Sequence, residues 1–219
     1  PLNNNITHAF ACSNLAGDWL YNKQYTVLNN GIEIDKFLFN TTIRNEYRKR
    51  LGIERKFVVG HIGHFSYQKN HEFLLDVFYE IHKIIPNSEL ILIGDGNLRE
   101  SIEEKIKKLD LKEFIQILGK RNDVENIIQA MDVFVLPSRF EGLPVVLVET
   151  QASGLYCVAS DAITKESNIT RRVEYIDLKK GPKYWADRVI KYNFDYKRDD
   201  VLDLILNSKF NIKNETKKL

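Results

Sequence analysis

Residues 136–150 read Leu136-Pro137-Ser138-Arg139-Phe140-Glu141-Gly142-Leu143-Pro144-Val145-Val146-Leu147-Val148-Glu149-Thr150. Local propensity favours a strand over Val145–Val148, because three of the four residues are β-branched. Position favours a helix. Pro144 suits the first turn of a helix, where its missing N–H costs nothing. Gly154 suits a helix end. Val133-Phe134-Val135-Leu136 before the segment reads as a buried strand, and Leu155 to Ala159 after it as another. Parallel strands need a crossover between them. Residues 144–153 are therefore read as a buried helix.

The same alternation extends outward. Phe57-Val58-Val59-Gly60-His61-Ile62 reads as a strand and Glu72 to Ile84 as a helix with apolar positions at helical spacing. Leu90-Ile91-Leu92-Ile93 is followed by a helix over Leu98 to Leu109, and Phe114 to Leu118 by a short helix over Val124 to Ala130. Val173 to Leu178 is a sixth strand candidate. Strands apolar on both faces with helices between them imply an α/β, doubly wound parallel sheet of the Rossmann-like kind. Right-handed crossovers put the loops after the strands at one edge, where such folds bind ligands. Toward the front, Ala9-Phe10-Ala11-Cys12 and Leu15 to Tyr21 read as one more strand and helix, set apart by the Asn29-Asn30-Gly31 turn. Residues 197–208 read as a final helix, and the tail from Asn211 as polar and frayed.

The 219 residues, 43% of them hydrophobic, suffice for one real core. The net charge of +2, with lysines and glutamates interspersed, gives no single-sign stretch of the kind nucleic acid requires. Cys12 and Cys157 are far apart in apolar surroundings, as reduced core thiols of the cytoplasm would be. No run of eighteen apolar residues offers a membrane span. His61, His71 and His82 have no partners at ligand spacing and no Asp-x-Asp pair occurs, so no metal is assigned.

A helix opening at Pro144 would aim free backbone N–H groups at the ligand edge, and Gly142 would let a phosphate approach the backbone. Glu149, flanked by apolar residues, is costly to bury without partners. It either caps or pairs with a lysine, or it accepts hydrogen bonds from two neighbouring hydroxyls such as a ribose offers. Taken singly, Gly94-Asp95-Gly96 is more often a plain turn and Lys69 more often a solvated lysine, and Lys120-Arg121 reads equally as a solvated loop.

Pro137 to Pro144 through Glu149, then Ala152-Ser153-Gly154 and Ala159-Ser160-Asp161, resembles the E-x7-E signature of the retaining GT-B family called glycosyl transferases group 1 (glycosyltransferase family 4), which includes many capsule and exopolysaccharide transferases. Other blocks follow in order. Val27-Leu28-Asn29-Asn30-Gly31-Ile32-Glu33 to Phe37 resembles that family's interdomain junction, and Gly60 to Asn70, with Gln68-Lys69-Asn70, its phosphate-binding loop. Ile93-Gly94-Asp95-Gly96 resembles its G-x-G turn, and Gly119-Lys120-Arg121-Asn122-Asp123-Val124 its loop near the base. The resemblance covers about residues 6 to 166.

It implies the C-terminal, donor-binding half of a GT-B fold. Residues 1–26 would be the last strand and helix of an N-terminal acceptor domain, 27–193 the nucleotide-sugar domain, and 194–219 a crossing helix and polar tail. The strand of the front segment would then lie exposed at an edge, packed on a substitute partner, or paired with another copy. Glu149 would hold the ribose, Glu141 would lie by the transferred sugar, and amides around Gly142, Leu143 and Val145 would bind the diphosphate. Lys69 would neutralise the leaving diphosphate. Gly63, Gly94 and Arg121 would line the donor site. His64 stands where the family usually has Arg, and lacks its permanent charge and fork. No cofactor is implied; the donor, UDP-linked, is a substrate. The implied partners are the nucleotide sugar and a polysaccharide or lipid-linked acceptor, with the parent protein at the inner face of the membrane. The competing reading is a nucleotide-diphosphate-binding module without transfer activity. A nicotinamide-dependent dehydrogenase fits poorly, because no full G-x-G-x-x-G follows the first strand.

Overall fold

A computed structural model of the chain describes residues 8–11, 14–21, 24–193, 197–198 and 201–216. Cys12, at the end of the expected front strand, lies outside the described residues, as do residues 199–200 of the expected final helix.

In chain order the elements are β1 (Phe10–Ala11), α1 (Asn14–Leu20), β2 (Thr26–Val27), α2 (Thr41–Arg50), β3 (Phe57–Ile62), α3 (His71–Ile84), β4 (Ser88–Ile93), α4 (Arg99–Lys108), β5 (Ile115–Ile117), α5 (Val124–Ala130), β6 (Val133–Leu136), α6 (Val145–Ala152), β7 (Tyr156–Ser160), β8 (Val173–Ile176), α7 (Gly181–Ile190), α8 (Leu202–Leu206) and α9 (Ile212–Glu215). Strands β3 to β8 form one six-stranded, all-parallel sheet in the order β5-β4-β3-β6-β7-β8. The order runs outward from β3 in one direction, then restarts from β6 in the other. The seam between β3 and β6 is therefore the topological switch point.

The inner strands are largely apolar because both of their faces are covered. Phe57, Val59, Leu90, Leu92, Val133 and Val135 pack into one core with α3, α4 and α7. Their neighbours Val58, Ile91, Ile93, Phe134 and Leu136 pack into a second core with α2, α5 and α6. This is the two-residue period of a pleated strand, both halves of it hydrophobic. α6 takes the helical alternative over residues 145–152, with Gly154 at φ +72° just past its end. Leu147 of α6 faces the sheet, while Val148 and Ala152 face a third cluster with Ile32, Ile34, Val201, Ile205 and Phe210. A helix covered on both sides is apolar almost all round, so its sequence lacks amphipathic spacing.

Several expectations are corrected. α2 and α7 were not anticipated. α2 carries arginines where apolar stripe residues usually stand: buried Arg48 donates to the Ala130 and Lys56 carbonyls and pairs with Asp132. α7 buries Trp185, Ala186 and Val189. The third strand is only Ile115–Ile117, because Lys112–Phe114 forms a 3-10 turn. The final helix is confined, among the described residues, to Leu202–Leu206. The tail is not frayed at Asn211. Ile32 N–H donates to Phe210 O (2.8 Å), Ile212 N–H to Ile32 O (3.1 Å), and buried Glu215 accepts from Asn29 N–H (2.9 Å). β1 pairs in parallel with β2, a two-residue strand not expected, and the two stand apart from the main sheet. Cys157 is buried and reduced, its thiol pushed up to about 12 by burial.

Two buried histidines sit at the end of this frame. His61 Nδ1–H donates to Val135 O (2.8 Å), which fixes its tautomer, and the ring meets His71 edge-on at 4.6 Å. Burial holds His61 down at about 4 and His71 at about 2. Depressed folded values mean stability that is present above the ordinary histidine range and lost as pH falls toward the folded ones. Stability should fall by roughly 1.4 kcal/mol per pH unit for each histidine between about pH 6 and 4. Urea midpoints across that window check this. His71→Phe should remove one histidine's share of the slope, and an unchanged slope would contradict the assignment.

Candidate functional site

The loops that leave the C-terminal ends of β3 and β6 meet at the switch point. The β3 loop, residues 63–70, carries Gly63, His64, Gln68 and Lys69. The β6 loop, residues 137–144, carries Ser138, Glu141, Gly142 and Leu143. Several bonds tie them to each other. Arg139 N–H donates to Gln68 O (2.8 Å), Asn70 Nδ2 donates to Pro137 O (3.1 Å), and Lys69 Nζ pairs with Glu141 Oε1 at 2.6 Å. Asn70 supplies the turn into α3 with a left-handed backbone (φ 57°, ψ 44°), which asparagine tolerates better than most residues.

Glu141 is held on both oxygens. Oε1 accepts from Lys69 Nζ and from Ser138 Oγ (2.9 Å), and Oε2 accepts from Gln68 Nε2 (3.0 Å). Three of the roughly four acceptor positions of a carboxylate are filled, and one remains on Oε2 for an outside donor. The sequence named Lys69 and Glu141 for separate duties; the structure brings them together. Gln68 and Ser138 were quoted in motifs without a role, and their part in holding Glu141 was missed.

Glu149 is in the opposite condition. It is half-buried on α6, and among the described residues no donor reaches its carboxylate. Burial raises its pKa, and the nearby Glu125 carboxylate on α5 adds to the rise. It neither caps α6 nor pairs with a lysine. Pro144 at the start of α6 makes no side-chain cap. The amides of Gly142, Leu143 and Val145 find no acceptor among the described residues, so the first turn of α6 presents open N–H groups. A Cβ on Gly142 would meet nothing within 4 Å, so this stretch is open to approach.

The adjoining turns close the edge. Gly94 follows β4 at φ +134°, and a Cβ there would stand 2.0 Å from Gly63 O, so only glycine lets the two loops touch. Lys69's aliphatic stem crosses Gly63, where a Cβ would lie 3.0 Å from it. His64 is exposed beside the Gly96 turn. Arg121, after β5, is gripped by Asp123 through two hydrogen bonds (2.8 and 2.7 Å), and Tyr47 of α2 donates to the same carboxylate (3.0 Å). Asp123 and Tyr47 were not foreseen as the residues that set Arg121. Among the described residues no three His, Cys, Asp or Glu side chains group as metal ligands, and no helix is long and apolar enough to cross a membrane.

Comparison with known proteins follows the same outline. The family model for glycosyl transferases group 1 matches residues 43–182. EpsF of Bacillus subtilis (strain 168), provisionally assigned as a glycosyltransferase, is 34% identical over 195 residues, covering 85% of this chain and 51% of EpsF. The Escherichia coli UDP-Gal:alpha-D-GlcNAc-diphosphoundecaprenol alpha-1,3-galactosyltransferase is 35% identical over 140 residues, covering 62% of this chain and 36% of that enzyme. The crystal structure of Anabaena HepE in complex with UDP and glucose has a TM-score of 0.77 at 20% identity, over 89% of this chain and 55% of HepE, a likeness of fold. The chain spans about half of the length of the first of these curated relatives and about a third of the second, 51% and 36%. With its matched model, its relatives and a parallel sheet shared with GT-B enzymes, the chain belongs to the glycosyl transferases group 1.

Proposed function

We propose that this chain is the donor-binding domain of a retaining glycosyltransferase that moves a sugar from a UDP-sugar to a growing surface polysaccharide or a lipid-linked acceptor. The observation that carries the reading is Glu149, a half-buried carboxylate without a donor, one turn inside a helix whose first amides are open. A ribose offers the two adjacent hydroxyls such a carboxylate lacks. The diphosphate would take the amides of Gly142, Leu143 and Val145, favoured by the helix terminus. Gly63 and Gly94 allow the phosphates close to the backbone, and Arg121 borders the base. Glu141 has one acceptor position left for a hydroxyl of the transferred sugar. The E. coli relative named for a UDP-Gal donor and a diphosphoundecaprenol acceptor, and HepE with bound UDP, support the donor class.

The chemistry then asks for positioning and charge rather than a protein nucleophile. The bond from the sugar's anomeric carbon to the phosphate oxygen breaks, and the acceptor oxygen bonds to that carbon on the same face. The leaving phosphate takes the acceptor's proton. Negative charge grows on the diphosphate, where the fixed helix amides, His64 and Lys69, drawn from its pair with Glu141, stabilise it. Residues 27–193 form the donor domain in this reading. Residues 1–26 go with an acceptor domain, 194–219 form the crossing segment, and the donor serves as substrate with no cofactor. A nucleotide-binding module without transfer is the second reading; the ion pair that engages Lys69 favours it.

Calorimetry tests donor binding. UDP should bind far better than uridine and weaken as salt rises. Glu149→Ala should cost roughly 1.5–3 kcal/mol of UDP affinity; unchanged affinity would remove Glu149 from the site. EDTA should leave binding unaltered, and a loss restored by Mn²⁺ would point to a metal-held diphosphate instead.

The same carboxylate burdens the fold. Its folded pKa is raised, so the stability present at low pH is lost as pH rises through it. Glu149→Gln should therefore melt higher at neutral pH, by about 2–4 °C for each kcal/mol relieved. The gap should close as the pH falls below the Glu149 pKa. A lower melting temperature at neutral pH would mean that a partner holds the carboxylate.

A further inference from the structure

Beside the switch-point edge, between α3 and α4, lies a cavity of about 650 Å³ that none of the donor contacts uses. Its volume is that of an ordinary small-ligand pocket. Leu75, Leu98 and Ile102 give it an apolar floor, and Tyr67, 67% exposed, stands at its mouth. The charges around it are mixed: Glu72 and Glu104 against Lys105, Lys108 and Arg139. Lys105 is already paired with Asp76 (2.7 Å), and Arg139 lies over the Tyr67 ring at 4.3 Å. Glu104 and Lys108, one helical turn apart, have no partner among the described residues. Two carboxylates at the mouth disfavour an anion and the lysines disfavour a cation. Two wall residues, Asn70 and His71, are buried at 4% and 2% exposure. Among the described residues Asn70 Oδ1 and both His71 ring nitrogens have no hydrogen-bond partner, and all three atoms are enclosed rather than open to a ligand, so the free polar groups of the cavity are those of Glu104 and Lys108.

Apolar floor, exposed aromatic ring, and uncommitted donors and acceptors of both kinds suit one ligand class. We propose that the cavity between α3 and α4 is a second carbohydrate site, which takes a neutral saccharide unit with its C–H face on Tyr67 and Leu98 and its hydroxyls toward Ser101, Glu104 and Lys108. The site does not depend on the donor reading, because its floor and mouth share no residue with the proposed nucleotide contacts. It adjoins them in the chain. Tyr67 and Gln68 are neighbours in one loop, Arg139 packs on Tyr67, and Gln68 holds Glu141.

Saturation-transfer NMR on the whole chain, without nucleotide, tests this with methyl α-glucoside, methyl α-galactoside and N-acetylglucosamine as probes. At least one should bind with a dissociation constant of roughly millimolar size. Ser101→Trp, which fills the mouth from an exposed helix position, and Tyr67→Ala should each weaken it by about tenfold or more, equal to about 1.4 kcal/mol. UDP affinity, measured alongside, should stay unchanged in both variants, which reports folding and keeps the two sites separate. Absence of transfer to all three sugars would overturn the proposal. So would transfer undiminished in both variants, or displacement of the sugar by inorganic phosphate.

Discussion

The Glu141 carboxylate, gripped by Lys69, Ser138 and Gln68, joins the two loops that emerge where the strand order reverses. No backbone ladder can do this, because β3 and β6 are paired only through Val59–Val133 and Gly60–Phe134. Past the ends of the two strands, one backbone bond, from Arg139 N–H to Gln68 O, and these side chains close the gap. An ion pair with 17% and 9% side-chain exposure is a poor source of net stability, since desolvation offsets much of the attraction. Its effect is geometric: with a third donor on the second oxygen, the carboxylate has one orientation.

The opposite end of the same seam is fastened in kind. Asp132, just before β6, accepts from Val58 N–H (2.8 Å) and returns its own N–H to Val58 O (2.8 Å), while Arg44 and Arg48 of α2 pair with its carboxylate. The switch point is thus pinned above and below, and α6 is set against a rigid edge. That rigidity explains the contrast between two carboxylates eight residues apart in sequence. Glu141 spends its acceptor capacity on holding the loops. Glu149, on the buried helix that follows, keeps all of its capacity and bears the cost of desolvation beside Glu125. A fold that retains an unsatisfied, half-buried carboxylate at its ligand edge suggests an external donor for it.

The sheet was legible because its inner strands carry apolar runs on both faces, a pattern that does not depend on distant residues. α6 was legible only from position, through Pro144, Gly154 and the need for a crossover; Val145–Val148 alone pointed to a strand. α2 was not legible, because its buried Arg48 answers Asp132 and the Ala130 carbonyl, more than eighty residues away. α7 did carry signals, Pro182 in the first turn and Trp185, Ala186 and Val189 on one stripe, beyond the last strand that was read. Within the candidate site, residue types and loops were legible, but pairings were not. Lys69 and Glu141 lie 72 positions apart, and nothing local says that one neutralises the other. The tail misled for a related reason: Asn211 and Glu215 look like solvated polar residues until Ile32 and Asn29 are found beside them.

The central claim is that the edge between β3 and β6 receives a nucleoside diphosphate, with Glu149 as its ribose contact. A crystal structure of the chain with UDP tests it most directly. The account predicts the ribose hydroxyls within hydrogen-bond distance of the Glu149 carboxylate and the diphosphate over the Gly142 and Leu143 amides. Glu141 should still be held by Ser138 and Gln68. UDP lodged elsewhere, with Glu149 left without a donor, would contradict it.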